Sequence, residues 1–220
     1  MNNKNAFIAI EGAIGVGKTT LANILNQHFG YTLLREIVEE NPFLSKFYTD
    51  IKEYALQTEA FFLFNRVKQL EDIEKNALSK SQGVVSDYHI IKNLIFAGIT
   101  LDKMQFHRYK QMYNIFVNDL PQPDIIVYLN SDTDVLMKRI AMRDRSFERQ
   151  MDRNYIHELG TEYKYYFNPL SIKHNFMGKE PIIIEVDNSK LDFLNNEKDR
   201  QFIISKVEDA INTLGGHQNV

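Results

Sequence analysis

Eight residues near the N-terminus, Gly12-Ala13-Ile14-Gly15-Val16-Gly17-Lys18-Thr19, leave few options for the fold. They fit the pattern G-x-x-x-x-G-K-[ST]. Before them runs Phe7-Ile8-Ala9-Ile10, a short apolar strand pattern. After them Leu21, Ile24, Leu25 and Phe29 fall at helical spacing. Strand, glycine loop and helix in that order make a phosphate cradle. The glycines let the backbone close around phosphate oxygens with its N–H groups inward, and the helix presents its N-terminus to the anion. Lys18 is expected to reach the β- and γ-phosphates, Thr19 to offer its hydroxyl to Mg²⁺, and Thr20 to complete the cradle. The implied cofactors are ATP and Mg²⁺. A chance match in a chain of this length is on the order of 1%.

The remaining apolar runs complete the fold class. Thr32-Leu33-Leu34, Val84-Val85, Ile125 to Leu129 and Pro181 to Val186 read as strands, separated by long helical patterns. Continuous β-branched runs alternating with helices predict an α/β fold: a five-stranded parallel sheet with helices on both faces. A helix is expected from about Glu53 to Leu78. Leu56, Ala60, Leu63, Val67 and Leu70 form one apolar row, and Phe61, Phe62 and Phe64 widen it. Such a helix is buried on more than one side, in the core or also at a subunit interface. With 220 residues and no linker, a single domain is expected over residues 1–214, followed by a frayed tail, 215–220.

Composition excludes several classes. A net charge of −3 provides no basic field for a nucleic acid polymer. The absence of cysteine excludes disulfides and thiolate metal sites. The apolar run Ala6 to Ile10 is too short for a signal peptide or a membrane span, so a cytoplasmic location is expected, with no membrane partner. The six histidines show no metal-ligand spacing. Neither an Asn-Lys-x-Asp motif nor an Asp-x-x-Gly switch is present, against a GTPase. A small kinase remains. Glu36, just past the second strand, would point toward an acceptor hydroxyl at the carboxyl edge of the sheet.

The chain resembles the deoxynucleoside kinases, in their bacterial deoxypurine branch. The resemblance rests on the glycine loop, on Glu36-Ile37-Val38-Glu39-Glu40-Asn41-Pro42-Phe43-Leu44, on Ser86-Asp87-Tyr88-His89 with Lys92 to Ala97, and on the arginine-rich segment after Leu136. It implies 5′-phosphorylation of deoxyguanosine, with deoxyadenosine or several deoxypurines as the alternative acceptors. A homodimer is implied too. A nucleotide-binding partner subunit of low activity, or a nucleoside monophosphate kinase, remains open.

The resemblance also implies residue roles. Glu36 would take the proton of the 5′-hydroxyl. Tyr48 and Glu148 would hold the 3′-hydroxyl. Asp87 would help hold Mg²⁺, or cap a helix. Arg139, Arg143 and Arg145 would form a lid over the phosphates, unless they belong to a solvated basic helix; Asp144 stands where the family has Gly. The family's Asp/Glu-Arg-Ser motif is departed from at Tyr88 and His89, and Lys92 is one candidate to replace the missing charge. On the long helix the family places Gln against the base and Arg seven residues later. Arg66 matches the Arg, and Glu59 stands at the Gln position. Gln57 is a rival in another register. Glu59 and Arg66 lie about 10 Å apart along the helix on one face, so a buried pair of the two is a further possibility. A carboxylate at this position favours guanine, whose N1–H and 2-amino group both donate, over adenine, whose N1 accepts.

Overall fold

The structure is a computed structural model and describes residues 5–169 and 180–216. Five strands form one parallel sheet: β1 (Phe7–Glu11), β2 (Thr32–Leu34), β3 (Val84–Ser86), β4 (Ile125–Asn130) and β5 (Ile182–Asp187), in the spatial order β2-β3-β1-β4-β5. The expected five-stranded parallel α/β sheet is therefore observed. Ile8 sits opposite Val85 on one side and Ile125 on the other. Every residue of β1 is buried, as a central strand covered by helices on both faces requires.

The helices are α1 (Lys18–Phe29), α2 (Leu44–Phe47), α3 (Ile51–Asn76), α4 (Lys92–Thr100), α5 (Lys103–Val117), α6 (Thr133–Arg143), α7 (Arg153–Tyr166) and α8 (Glu197–Gly216). Their starts follow the local chemistry. Asp50 caps α3 through the Glu53 amide, Asp102 and Gln105 form a reciprocal capping box on α5, and Asp152 caps α7.

The long helix α3 differs from its expected packing. Ala55, Leu63, Val67 and Leu70 are buried, but Leu56 is 40% and Phe64 48% exposed. Phe64 meets Phe116 of α5 edge to face at 5.3 Å, and Ile115 is also exposed. The apolar surface around Phe64 and Phe116 is thus open in the monomer. The C-terminal helix runs on through Gly215 and Gly216, where a frayed tail was expected, while 217–220 lie outside the described residues.

Candidate active site

In an open parallel sheet the ligand crevice lies beyond the carboxyl ends of the strands. Here β1 leads into the glycine loop, β2 into Glu36 and β3 into Asp87. A cleft of about 1400 Å³ runs along this edge, from Gly15 to Thr20 at one end to Thr58, Glu59, Phe62 and Phe96 at the other.

The loop needs its glycines for two distinct reasons. At Gly12 (φ 145°) a Cβ would come within 2.3 Å of the Leu129 carbonyl oxygen. Gly17 is left-handed (φ 100°), with the Phe193 ring 3.1 Å from where a Cβ would stand. Lys18 Nζ donates back to the carbonyls of Gly12 (2.7 Å) and Ala13 (3.0 Å). Burial, assisted by the nearby Lys92 charge, draws its pKa down to about 8. Beneath the loop lies Glu11, fully buried. It accepts from the amides of Gly12 (3.1 Å) and His89 (2.5 Å) and from the Tyr163 hydroxyl (2.8 Å). Burial raises its pKa against the pull of Lys92 and Lys18.

Asp87 joins the loop to the acceptor side. Its two oxygens accept the Thr19 hydroxyl (2.7 Å) and the Glu36 amide (2.8 Å). The N-cap of α4 is Ile91, so Asp87 is not a helix cap. The Glu36 carboxylate is held from two sides: Arg66 Nε donates to Oε1 at 3.0 Å, Arg66 Nη2 reaches the same oxygen, and Lys92 Nζ donates to Oε2 at 2.6 Å. Burial alone would raise the Glu36 pKa. Lys92 and then Arg66 outweigh it and bring the value to about 2.

Lys92 thus places a buried positive charge against Glu36. Tyr88 turns into the core, its hydroxyl on Gln69 (3.1 Å) and its ring 5.8 Å from the Arg66 guanidinium. His89 is buried too, and burial lowers its pKa to about 4.

Arg66 continues inward to Asn93 Oδ1 (2.7 Å), Asn93 donates to the Tyr109 hydroxyl (2.7 Å), and Tyr109 donates to the backbone oxygen of Glu59 (3.1 Å). The hydrogen bonds of Arg66 go to Glu36 and Asn93, so the expected alternative of a Glu59–Arg66 hydrogen-bonded pair does not form. Glu59 is 2% exposed and lines the cleft, whereas Gln57 is exposed. Burial pushes the Glu59 pKa up to about 7, opposed by Arg66, by the Thr100 hydrogen bond and by Lys92.

The arginine segment is part helix, part turn. Arg139 and Arg143 lie on α6, and Asp144 ends it in a left-handed conformation (φ 48°). Arg139 Nη2 donates to the Asn188 carbonyl (3.2 Å), with Nη1 buried and unpaired. Arg143 donates to Glu148 from Nη2 (2.6 Å to each oxygen) and from Nε (3.1 Å to Oε2), and Arg145 stands 3.8 Å from the same carboxylate. The ring of Tyr48 stacks on Phe147 at 6.3 Å, and Glu148 is among the charges that raise its pKa. All three arginines line the cleft, Arg143 in a pair with Glu148. Glu11 and the Tyr109–Asn93 link were not singled out in sequence, because their partners are remote in the chain.

A fold of this topology with a glycine phosphate loop and a carboxylate gripped at the edge of β2 defines a nucleotide-dependent phosphotransferase. The family model for deoxynucleoside kinases matches residues 8–212, and the chain belongs to that family. It is 43% identical over 209 residues to the deoxyguanosine kinase of Bacillus subtilis, covering 95% of this chain and 99% of that protein. It is 28% identical to the deoxyadenosine/deoxycytidine kinase of the same organism, covering 94% of each. Among solved structures, deoxyadenosine kinase from M. mycoides with bound dATP superposes with a TM-score of 0.78 at 25% identity, over 93% of this chain and all of that one. Among the described residues no helix is long and apolar enough to cross a membrane, and no group of three or more His, Cys, Asp or Glu side chains is placed to hold a metal.

Proposed function

We propose that the protein transfers the γ-phosphoryl group of ATP to the 5′-hydroxyl of deoxyguanosine. The observation that carries this choice of acceptor is Glu59, a buried carboxyl in the lining of the cleft, as are Phe62 and Phe96; in its ionised form it accepts from two donors on one edge of a base and opposes adenine N1. The 43% identity to a deoxyguanosine kinase supports the same choice.

The residues divide the work. The amides of Gly12 to Thr20 cradle the donor phosphates, and Lys18 leaves its own loop carbonyls to meet the β- and γ-oxygens. Glu36 accepts the proton of the 5′-hydroxyl. Its low pKa makes it a weak base, which suits a transfer in which positioning and charge neutralisation dominate. Tyr48 and Glu148 hold the 3′-hydroxyl. Arg139 and Arg145 cover the phosphates; Arg143 joins them only when its pair with Glu148 opens. Thr19 and Asp87 bring two oxygens within 2.7 Å of each other, a hard-donor pair that fits Mg²⁺ held mainly by phosphates and water. Mg²⁺ there would neutralise charge on the β- and γ-oxygens. We further assign the protein to the cytoplasm and the open face of Phe64 and Phe116 to a homodimer contact, to be checked by sedimentation.

The test is phosphorylation of deoxyguanosine, deoxyadenosine, deoxycytidine, thymidine and dGMP with labelled ATP and Mg²⁺. Preference for deoxyguanosine is expected. Preference for deoxyadenosine would overturn the role of Glu59, and binding of ATP with no turnover on any acceptor would make the chain a partner subunit. A Glu36→Gln protein with wild-type turnover would remove Glu36 as base.

A further inference from the structure

Among the described residues the Glu59 carboxyl has no ion pair and one side-chain hydrogen bond, with Thr100. The Thr100 hydroxyl has two oxygens within reach, the Phe96 carbonyl at 2.9 Å and Glu59 Oε1 at 3.3 Å. It carries one hydrogen, and the carbonyl has none to offer. When Thr100 donates to the nearer carbonyl, its contact with Glu59 is satisfied only if the carboxyl supplies the proton.

No neighbouring group competes for that role. Arg66, on the same helix, is committed to Glu36 and Asn93, and Lys92 on α4 to Glu36. Glu36 itself, from the segment after β2, adds a repelling charge. Tyr109 of α5 uses its hydroxyl proton on the Glu59 backbone. Tyr48, after α2, and Tyr155, on α7, face the carboxyl electrostatically, and the Tyr155 hydroxyl is buried with no partner. Burial disfavours the charged form and moves Glu59 toward the working pH range.

We propose that Glu59 is a carboxylic acid in the empty enzyme and releases its proton to solvent when guanine seats against it, so that its protonation state sets how sharply the enzyme selects guanine. This inference rests on the proposed pairing of Glu59 with the base. The neutral acid offers one donor and one acceptor. It serves adenine through N6–H and N1, and guanine through O6 and N1–H, much as an amide does. The ionised form accepts N1–H and the 2-amino group of guanine together and opposes the lone pair of adenine N1. Discrimination is therefore a property of the ionised form.

Two measurements test this. The first is kcat/KM for deoxyguanosine over that for deoxyadenosine as a function of pH. The ratio cancels groups common to both reactions, Lys18 and the donor phosphates among them. It should rise with pH by up to about tenfold per unit through the titration of Glu59, because ionisation favours guanine and disfavours adenine, and be level only well below and well above it; Glu59→Gln should give a low, flat ratio. The second uses only the wild-type protein: calorimetric binding at neutral pH in two buffers of different ionisation enthalpy. Deoxyguanosine should release a fraction of a proton, and deoxyadenosine should take up the complementary fraction. A flat ratio or no proton release, with deoxyguanosine still phosphorylated and Glu59→Gln still less selective, overturns the proton linkage and leaves the pairing intact. Failure to phosphorylate deoxyguanosine at all overturns both.

Discussion

Replacing Lys92 by Met tests the electrostatics of the acceptor side. Glu36 titrates at about 2 where an ordinary glutamate sits at 4.5. At about 1.4 kcal/mol per pH unit, that difference is on the order of 3 kcal/mol of preference for the charged form in the folded state. Lys92 is the largest contributor to it, ahead of Arg66. Both partners are nearly enclosed, with Lys92 7% and the Glu36 side chain 9% exposed, so solvent screens little of the interaction. Lys92→Met removes that contribution but also the cost of burying the ammonium, and Glu36 keeps Arg66. The expected loss at neutral pH is about 1–2 kcal/mol, below the ~3–5 kcal/mol of a buried charge left without any partner. The sign with pH follows from the depressed pKa. The stabilisation is complete above the unfolded value near 4.5 and is lost as pH falls toward 2. Urea unfolding of both proteins should therefore show a gap at about pH 6 that narrows by about pH 3. The acid limb of kcat/KM should move upward in the variant, because its Glu36 protonates more readily. A variant as stable as wild type at neutral pH, with an unshifted acid limb, would refute this reasoning.

Three other substitutions have defined outcomes. Gly17→Ala forces a left-handed backbone on an L-residue, about 1–2 kcal/mol, and sets a methyl 3.1 Å from the Phe193 ring; ATP affinity measured by fluorescence titration should drop tenfold or more. Thr19→Val removes the hydroxyl that bonds to Asp87; kcat should fall by on the order of a hundredfold and the Mg²⁺ requirement rise, both read from Mg²⁺ titrations of the initial rate. Asp144→Gly relieves the left-handed φ of 48° but loses the exposed pair with Arg149 at 2.7 Å; the two effects nearly cancel, and the unfolding midpoint should stay close to that of the wild type.

What the sequence disclosed was what local pattern encodes. The five strands were readable because β-branched runs such as Ile125 to Leu129 have no other stable home, and the glycine loop because its spacing carries its own geometry. Glu59 was readable from its own helix, whose neighbours three and four residues away offer it no partner. Residues whose meaning lies in distant partners were harder. Lys92 meets Glu36 across 56 residues, and Glu11 meets Tyr163 across 152. At the end of an apolar strand Glu11 looks like a boundary residue, and nothing nearby announces three donors waiting for it. Helix α3 shows the converse limit. Its periodicity marked apolar rows, yet periodicity cannot say which of their residues another element covers: Leu56, in the row of the buried Leu63 and Leu70, is exposed, and so is Phe64.

The two ends of the cleft are tied by one hydrogen-bonded chain. It runs from Thr19 to Asp87, to the amide and then the carboxylate of Glu36, on to Arg66, Asn93, Tyr109 and the backbone of Glu59. Buried chains of this kind hold their geometry, because each link is satisfied only while its neighbours stay in place. Glu59, at one end of it, and Arg66, at its middle, stand on the same helix, about 10 Å apart. Arg66 grips the carboxylate proposed to meet the 5′-hydroxyl, and Glu59 is the group proposed to meet the base. The rise of α3 therefore sets the span between the two recognition points. A base seated too far in or out would misplace its hydroxyl relative to Glu36, so on this arrangement base selection acts on kcat as well as on KM.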